Sequence, residues 1–132
     1  MRTRTKARQR AVEALYEADI RNADPLEIVD RNPETNEYSR QLVSLVSKNS
    51  DRINDSIAVN AVGWQLDRLS AIDRAILRAA TAELLFEPDI DTAVVISQAV
   101  EIAGVLGTDD SGKFVNGVLG NIALNRGSAS GL

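Results

Sequence analysis

The 132-residue chain contains no cysteine and no histidine. The first absence excludes disulfides, thiolate metal sites and cysteine nucleophiles, and it fits a reducing compartment. The second removes the commonest general base together with the commonest metal ligand. No apolar run approaches the length of a membrane span, and the N-terminal residues hold no apolar signal core, so a soluble cytoplasmic domain is expected. Persuasive period-two segments are missing too, although residues 92–96 superficially resemble a strand, and no unit of about 30–45 residues recurs. At the N-terminus the scarce commodity is acid. The first ten residues carry five of the fifteen Lys and Arg and no Asp or Glu. The other 122 residues carry ten bases against nineteen acids, so a +5 arm sits on a −9 body. A net charge of −4 does not by itself suggest a polyanionic ligand. The segregation of charge does, and it marks the arm as the place where one would bind.

What is present is helical spacing along almost the whole chain, in a length that suits one domain with its own core. Ala7, Ala11, Leu15 and Ala18 make a stripe on a first helix that includes much of the basic arm. Asp24-Pro25-Leu26-Glu27 combines a capping acid, proline at the first helical position and a carboxylate three residues after the cap. Residues 31–37 read as a loop. From Tyr38, the line Leu42, Leu45, Val46, Ile53, Ile57 predicts one long helix ending before Gly63. Ser70 and Asp73 open another, which Pro88 closes. Asp91 caps a helix that Gly107 terminates at its C′ position, and Asp110 or Ser111 caps a last one through Asn125. Residues 1–126 are thus expected to form an all-α bundle and residues 127–132 a flexible tail.

Residues 107–113, Gly-Thr-Asp-Asp-Ser-Gly-Lys, satisfy the spacing of a phosphate-cradling loop, but the context is wrong. Phe114 stands where Ser or Thr must hold magnesium, Asp109 and Asp110 would repel phosphates, and a helix precedes the segment instead of a strand. The glycines read more simply as a helix terminator and a tight turn. Glu83 and Glu87, one turn apart, imitate a carboxylate pair, yet in so acidic a chain a solvated helix face is the plainer account. Ser111 has no histidine to activate it, and Lys113 has no evident desolvating pocket. The chain reads as a binding module, with no enzyme activity, metal or cofactor implied.

Lys6, Arg8 and Arg10 sit within or beside a helix whose other face is apolar, so they are held in place, as a phosphate binder requires. Val115, Val118, Leu119 and Ile122 centre the stripe of the last helix, and Phe114 lies about 90° from that centre. Such a shoulder aromatic beside Lys113 suits either base stacking or the edge of the core. Tyr16 shares a line with Val12 and Ile20 and is expected to be half-buried. Trp64, after Gly63, reads as a packing residue in a turn.

Three strings then resemble the NusB family of transcription antitermination factors. They are the pattern Arg8, Ala11, Val12, Ala14, Leu15, Tyr16; the stretch from Leu69 through Ile72-Asp73-Arg74-Ala75-Ile76-Leu77-Arg78 to Glu83-Leu84; and Ala99 to Ala103, Gly107, and Asp110-Ser111 with Lys113-Phe114-Val115-Asn116-Gly117-Val118-Leu119. The last string is the most specific, and the poorest likeness runs from about Asp24 to Trp64. The resemblance implies about seven helices in two packed sub-bundles. It also implies binding of the boxA element in ribosomal RNA leaders together with NusE, a ribosomal protein, within an RNA polymerase complex that holds other Nus factors. By the same resemblance, Arg4, Lys6, Arg8, Arg10 and Tyr16 with Asp110, Lys113 and Phe114 form the RNA side. Asp67, Asp73 and Arg74 form the side that meets NusE. Single-stranded boxA suits such a surface, with cations on the backbone and an aromatic on splayed bases. Two other readings stand beside this one: the RNA-binding domain of a ribosomal RNA cytosine methyltransferase, of which the chain would be a fragment, and a helical protein adaptor without RNA function. A face that receives NusE would also serve a homodimer.

Overall fold

The computed structural model describes residues 3–130 except Glu34, with the side chains of residues 127–130 also outside the description. Seven α-helices form among these residues: α1 (Thr3–Arg21), α2 (Pro25–Arg31), α3 (Glu37–Lys48), α4 (Ser50–Asn60), α5 (Ala71–Phe86), α6 (Thr92–Leu106) and α7 (Ser111–Ser130). A single 3₁₀ turn, Leu66–Arg68, precedes α5. The expected all-α architecture is the observed one.

Local chemistry starts most of the helices. Asp24 accepts from the Leu26 amide at 2.9 Å, with Pro25 at the first helical position. Asn36 accepts from Ser39 N at 3.0 Å, Ser70 from Asp73 N at 3.2 Å and Asp91 from Ala93 N at 3.4 Å. Each satisfies an amide that the helix geometry leaves without an internal partner.

Packing divides the helices into two groups. In one, α1, α2 and α3 touch one another; in the other, α4, α6 and α7 gather on α5. α5 packs on α1, α3, α4, α6 and α7, and a continuous apolar cluster joins the two groups. Ala11 and Leu15 of α1, Val43 of α3, Ile76 and Leu77 of α5, Ile102 of α6 and Leu119 of α7 all belong to it. The alanine-rich stripe of α1, Ala7, Ala11, Leu15 and Ala18, is buried throughout.

Three departures from expectation have physical causes. The predicted long helix from Tyr38 is two helices, broken at Asn49, whose backbone (φ −122°, ψ 28°) is not helical. There the Asn49 side-chain amide donates to Leu45 O at 2.9 Å, and the break lets α3 face α1 and α2 while α4 faces α7. Gly107 does end α6, but with extended backbone (φ −96°, ψ −163°) and not in the left-handed C′ conformation. Glycine is required there for space: a Cβ would lie 2.4 Å from Ser111 Oγ and 2.9 Å from Ala103 O. Beyond Asn125, the backbone of residues 127–130, expected as tail, continues α7; residues 131–132 lie outside the described part. Just before them, Arg126 donates to Leu84 O at 2.9 Å and to Thr92, tying α7 to the end of α5 and the start of α6.

Gly107→Ala should therefore cost about 1–3 kcal/mol, as overpacking does. Gly104→Ala, in the exposed last turn of α6 with nothing within 4 Å of the new methyl, should stabilise by up to about 1 kcal/mol. Denaturant titrations of the two variants check the pair, and equal effects would contradict the steric reading of Gly107.

Candidate nucleic-acid and protein interfaces

Residues 3–10 of the basic arm form the first two turns of α1, so helical spacing decides where each of their cations goes, while Arg2 lies outside the described residues. Arg4 and Lys6 are exposed and Arg10 is half-buried, 3.7 Å from Glu13. Arg8 is different. It is only 5% exposed, and its Nε donates to both oxygens of Glu83 at 2.9 and 3.0 Å. The expectation that Arg8 contacts phosphate is corrected by this burial. Val12, an apolar residue one turn further along, is the signal that Arg8 lies in the buried arc. Glu83, expected on a solvated face, is 2% exposed at the centre of the protein.

Around this pair the polar groups are mutually satisfied. The Tyr38 hydroxyl of α3 donates to Glu83, and the Thr5 hydroxyl of α1 donates to Gln98 of α6. Arg8 reaches the same Gln98 oxygen at 3.5 Å. Arg4 stacks its guanidinium 4.0 Å from the centre of the Tyr38 ring, a cation–π contact at the edge of the network. Burial above all, then the hydrogen bond to Glu83 and its negative charge, raises the pKa of Tyr38 well above the usual phenol value.

A second constellation forms where α7 begins. Asp110, Lys113 and Phe114 are brought together on the rim and wall of an open depression of about 520 Å³, with Asn60, Gly117 and Asn121. Trp64 completes it, which the sequence reading missed. The amide of Trp64 donates to Ala61 O at 3.0 Å, closing a turn in which Gly63 takes φ +84°. The indole is not packed away: it is 55% exposed and meets Phe114 edge-to-face, with ring centroids 5.6 Å apart and planes at 68°. Phe114 is half-buried against the core. Ser111 is buried and accepts from Thr108 N at 3.0 Å, so its hydroxyl serves the α6–α7 turn.

Tyr16 belongs to neither constellation. It is 40% exposed and lines an apolar groove of about 630 Å³ with Ile20 of α1, Ser70, Ala71 and Ile72 at the start of α5, and Leu106 of α6. Asp73 follows directly on α5, and its buried Oδ1 has no hydrogen-bond partner among the described residues. Asp67 is exposed on the 3₁₀ turn. Arg74, expected to contact a partner protein, is instead committed internally. It donates to Asp19 Oδ2 at 2.8 and 3.0 Å and to the carbonyl of Leu69 at 2.8 Å, with longer contacts to those of Leu66 and Asp67. Arg74 thereby clamps the 3₁₀ turn onto α1 and α5.

No cluster of three metal-ligating side chains occurs among the described residues, and no described helix is long and apolar enough to cross a membrane. The arrangement is that of an all-helical protein offering a rigid cationic helix end, an aromatic corner beside a lysine, and a separate apolar groove. The chain belongs to the NusB family, whose profile matches residues 5–124. It is 46% identical over 131 residues to the transcription antitermination protein NusB of Salinispora arenicola, with 93% of this chain and 96% of that protein covered. Among solved structures it resembles NusB of T. maritima, at a TM-score of 0.85 and 38% identity over 94% of this chain and 93% of that one. It also resembles a chain in a crystal structure of the antitermination factors NusB and NusE in complex with dsRNA, at a TM-score of 0.81 and 31% identity, covering 94% of this chain and 98% of that one.

Removing the Tyr38 hydroxyl tests the buried network. Tyr38→Phe should cost about 1.5–3 kcal/mol, the range for a hydrogen bond to a charged group. The raised pKa also sets a direction with pH. Tyr38's contribution is complete below its ordinary pKa of 10.0 and is lost as pH rises through the higher folded value. The parent should therefore lose more stability than the variant above about pH 10, as read by denaturant titration across that range. A parallel fall in both proteins would place Tyr38 outside the network.

Proposed function

We propose that the protein is a transcription antitermination factor. It binds boxA RNA of ribosomal RNA leaders together with NusE and joins the antitermination complex on RNA polymerase. The observation that carries this reading is the exposed cation pair Arg4 and Lys6 on a helix that the core holds rigid, in a chain of the NusB family. The RNA side comprises Arg4, Lys6 and Arg10 from α1 and Asp110, Lys113 and Phe114 from α7, while Arg8 positions the arm from beneath. Single-stranded RNA fits best, because its bases can leave the stack and meet an aromatic ring, which a duplex does not permit. The acidic remainder of the protein repels RNA elsewhere and confines it to these cations.

The protein side comprises Asp67, Asp73 and the groove that Tyr16 lines, with Arg74 holding that surface in shape. Tyr16 moves to this side because it shares the groove with Ile72, next to Asp73. Its ring supplies apolar area with a polar tip, the combination enriched at protein interfaces. NusE and RNA bind cooperatively, each raising the affinity of the other by a coupling of about 1–3 kcal/mol. The work is done in the cytoplasm, on nascent transcripts, by binding alone and without catalysis.

Titration of boxA RNA, a scrambled RNA and a duplex, each with and without NusE, tests the proposal. BoxA should bind best, and NusE should tighten it. The variant Arg4→Ala with Lys6→Ala should keep its fold and reduce the slope of log affinity against log salt by about 1.4, at 0.7 per phosphate contact on a single strand. Tyr16→Ala and Asp73→Lys should weaken NusE binding and leave RNA binding by the free protein near the parent value. Equal binding of all three RNAs with an unchanged slope would sink the reading.

A further inference from the structure

The exposed indole of Trp64 has a use beyond the turn that carries it. We propose that Trp64 is an RNA-stacking residue, forming with Phe114 a two-ring corner that takes one unpaired base of the bound strand, while Lys113 meets a phosphate beside it. The inference deepens the RNA-binding reading and rests on it.

Four observations carry it. First, Trp64 is the chain's one tryptophan, and it remains 55% exposed although its neighbour Ala61 is buried. Second, its display is fixed. The turn is closed by the 3.0 Å bond from Trp64 N to Ala61 O, and Gly63 holds φ +84°, a conformation that residues with side chains rarely adopt. Third, the rings of Trp64 and Phe114 meet edge-to-face at 68°. That contact covers at most one face of either ring, so an exposed indole so placed keeps a flat apolar face toward water. Fourth, the depression they share, about 520 Å³, is of the size that accepts a small ligand, and Gly117 on its lining has nothing within 4 Å of where a Cβ would stand. Room for a base is left open beside the rings.

The charges around the corner select the ligand. Lys113 is exposed on the same lining, and it supplies a cation for the backbone of a polyanion. Asp110, also exposed there, repels phosphate but accepts a hydrogen bond from the exocyclic amino group of adenine, cytosine or guanine. An aromatic platform with one cation and one acceptor is the chemistry that holds a splayed base. A protein side chain docking in the same corner is the competing occupant, and the experiment separates the two.

Because Trp64 is the only tryptophan, its emission reports on this corner alone. Titrating the full chain with boxA RNA should quench that emission, saturating at the same RNA concentration as anisotropy of labelled RNA. Trp64→Ala should weaken RNA binding about 5- to 100-fold, with an unchanged salt slope because no charge is removed. Trp64→Tyr should retain most of the affinity. Trp64→Leu keeps an apolar contact for Phe114 but no stacking face, so it should bind like the alanine variant, and melting curves should show all three folded. Parent-like affinity in the alanine and leucine variants, with unquenched emission in the parent, would overturn the assignment while leaving the RNA-binding reading intact. Quenching by NusE alone, with no response to RNA, would overturn it in favour of a protein contact. Failure of the parent to bind RNA by anisotropy, with and without NusE, would overturn both.

Discussion

A carboxylate at the centre of a helical protein must be fully satisfied or it destabilises everything around it, and Glu83 meets that requirement only by drawing three helices together. Its oxygens accept from Arg8 of α1 and Tyr38 of α3, while it stands on α5. Gln98 of α6 joins through Arg8 and Thr5. An apolar core alone would tolerate sliding of α1 along its alanine stripe, because alanines make shallow ridges. An Arg8 Nε–H shared between both Glu83 oxygens does not tolerate it, since the guanidinium must stay centred on the buried carboxylate. The register of the first helix is set there.

The consequence is electrostatic. A flexible polycation binds any polyanion and loses conformational entropy when it does. Here the same short basic sequence is helical, with Arg8 turned inward as a fixed anchor and Arg4 and Lys6 outward at defined positions. Arg4 is itself braced on Tyr38, which links the outward cations to the inward pair. Less ordering remains to be done on binding, and the geometry of the phosphates that fit becomes restricted. The acidic body, the apolar groove at Tyr16 and the aromatic corner at Trp64 and Phe114 then form separate surfaces. One small domain thereby keeps a cationic helix end and an aromatic corner apart from an apolar groove.

Much of the fold was legible because it is written locally. The caps at Asp24, Ser70 and Asp91 act within three residues of themselves, and helical spacing of apolar residues survives in any all-α packing. What was not legible depends on partners distant in sequence. The break at Asn49 sits inside an unbroken apolar period, and only the different partners of α3 and α4 call for it. Arg8 and Glu83 are 75 positions apart, so counting charges assigned one to the ligand and the other to solvent. Arg74 looked like a surface cation for the same reason, while its hydrogen bonds close a turn several residues upstream. Gly107 was the right residue for a different reason: a helix end and a buried serine approach too closely for a side chain. Trp64 was missed because an isolated aromatic after a glycine carries no period from which its exposure can be read. At the start of α7, Asp110, Lys113 and Phe114 were grouped by motif, and the structure sets the Trp64 ring against Phe114.

The central claim is that the basic arm is part of the folded core. Native-state hydrogen exchange of α1 tests it most directly. If the Arg8–Glu83 network locks the helix, the amides of Ala11 and Val12, just past the arm, should exchange only through global unfolding, with the same opening free energy as core amides of α5 such as Leu77. Exchange at those positions through a low-energy local opening, well before α5, would contradict the account and make the arm a frayed polycation on an otherwise folded protein.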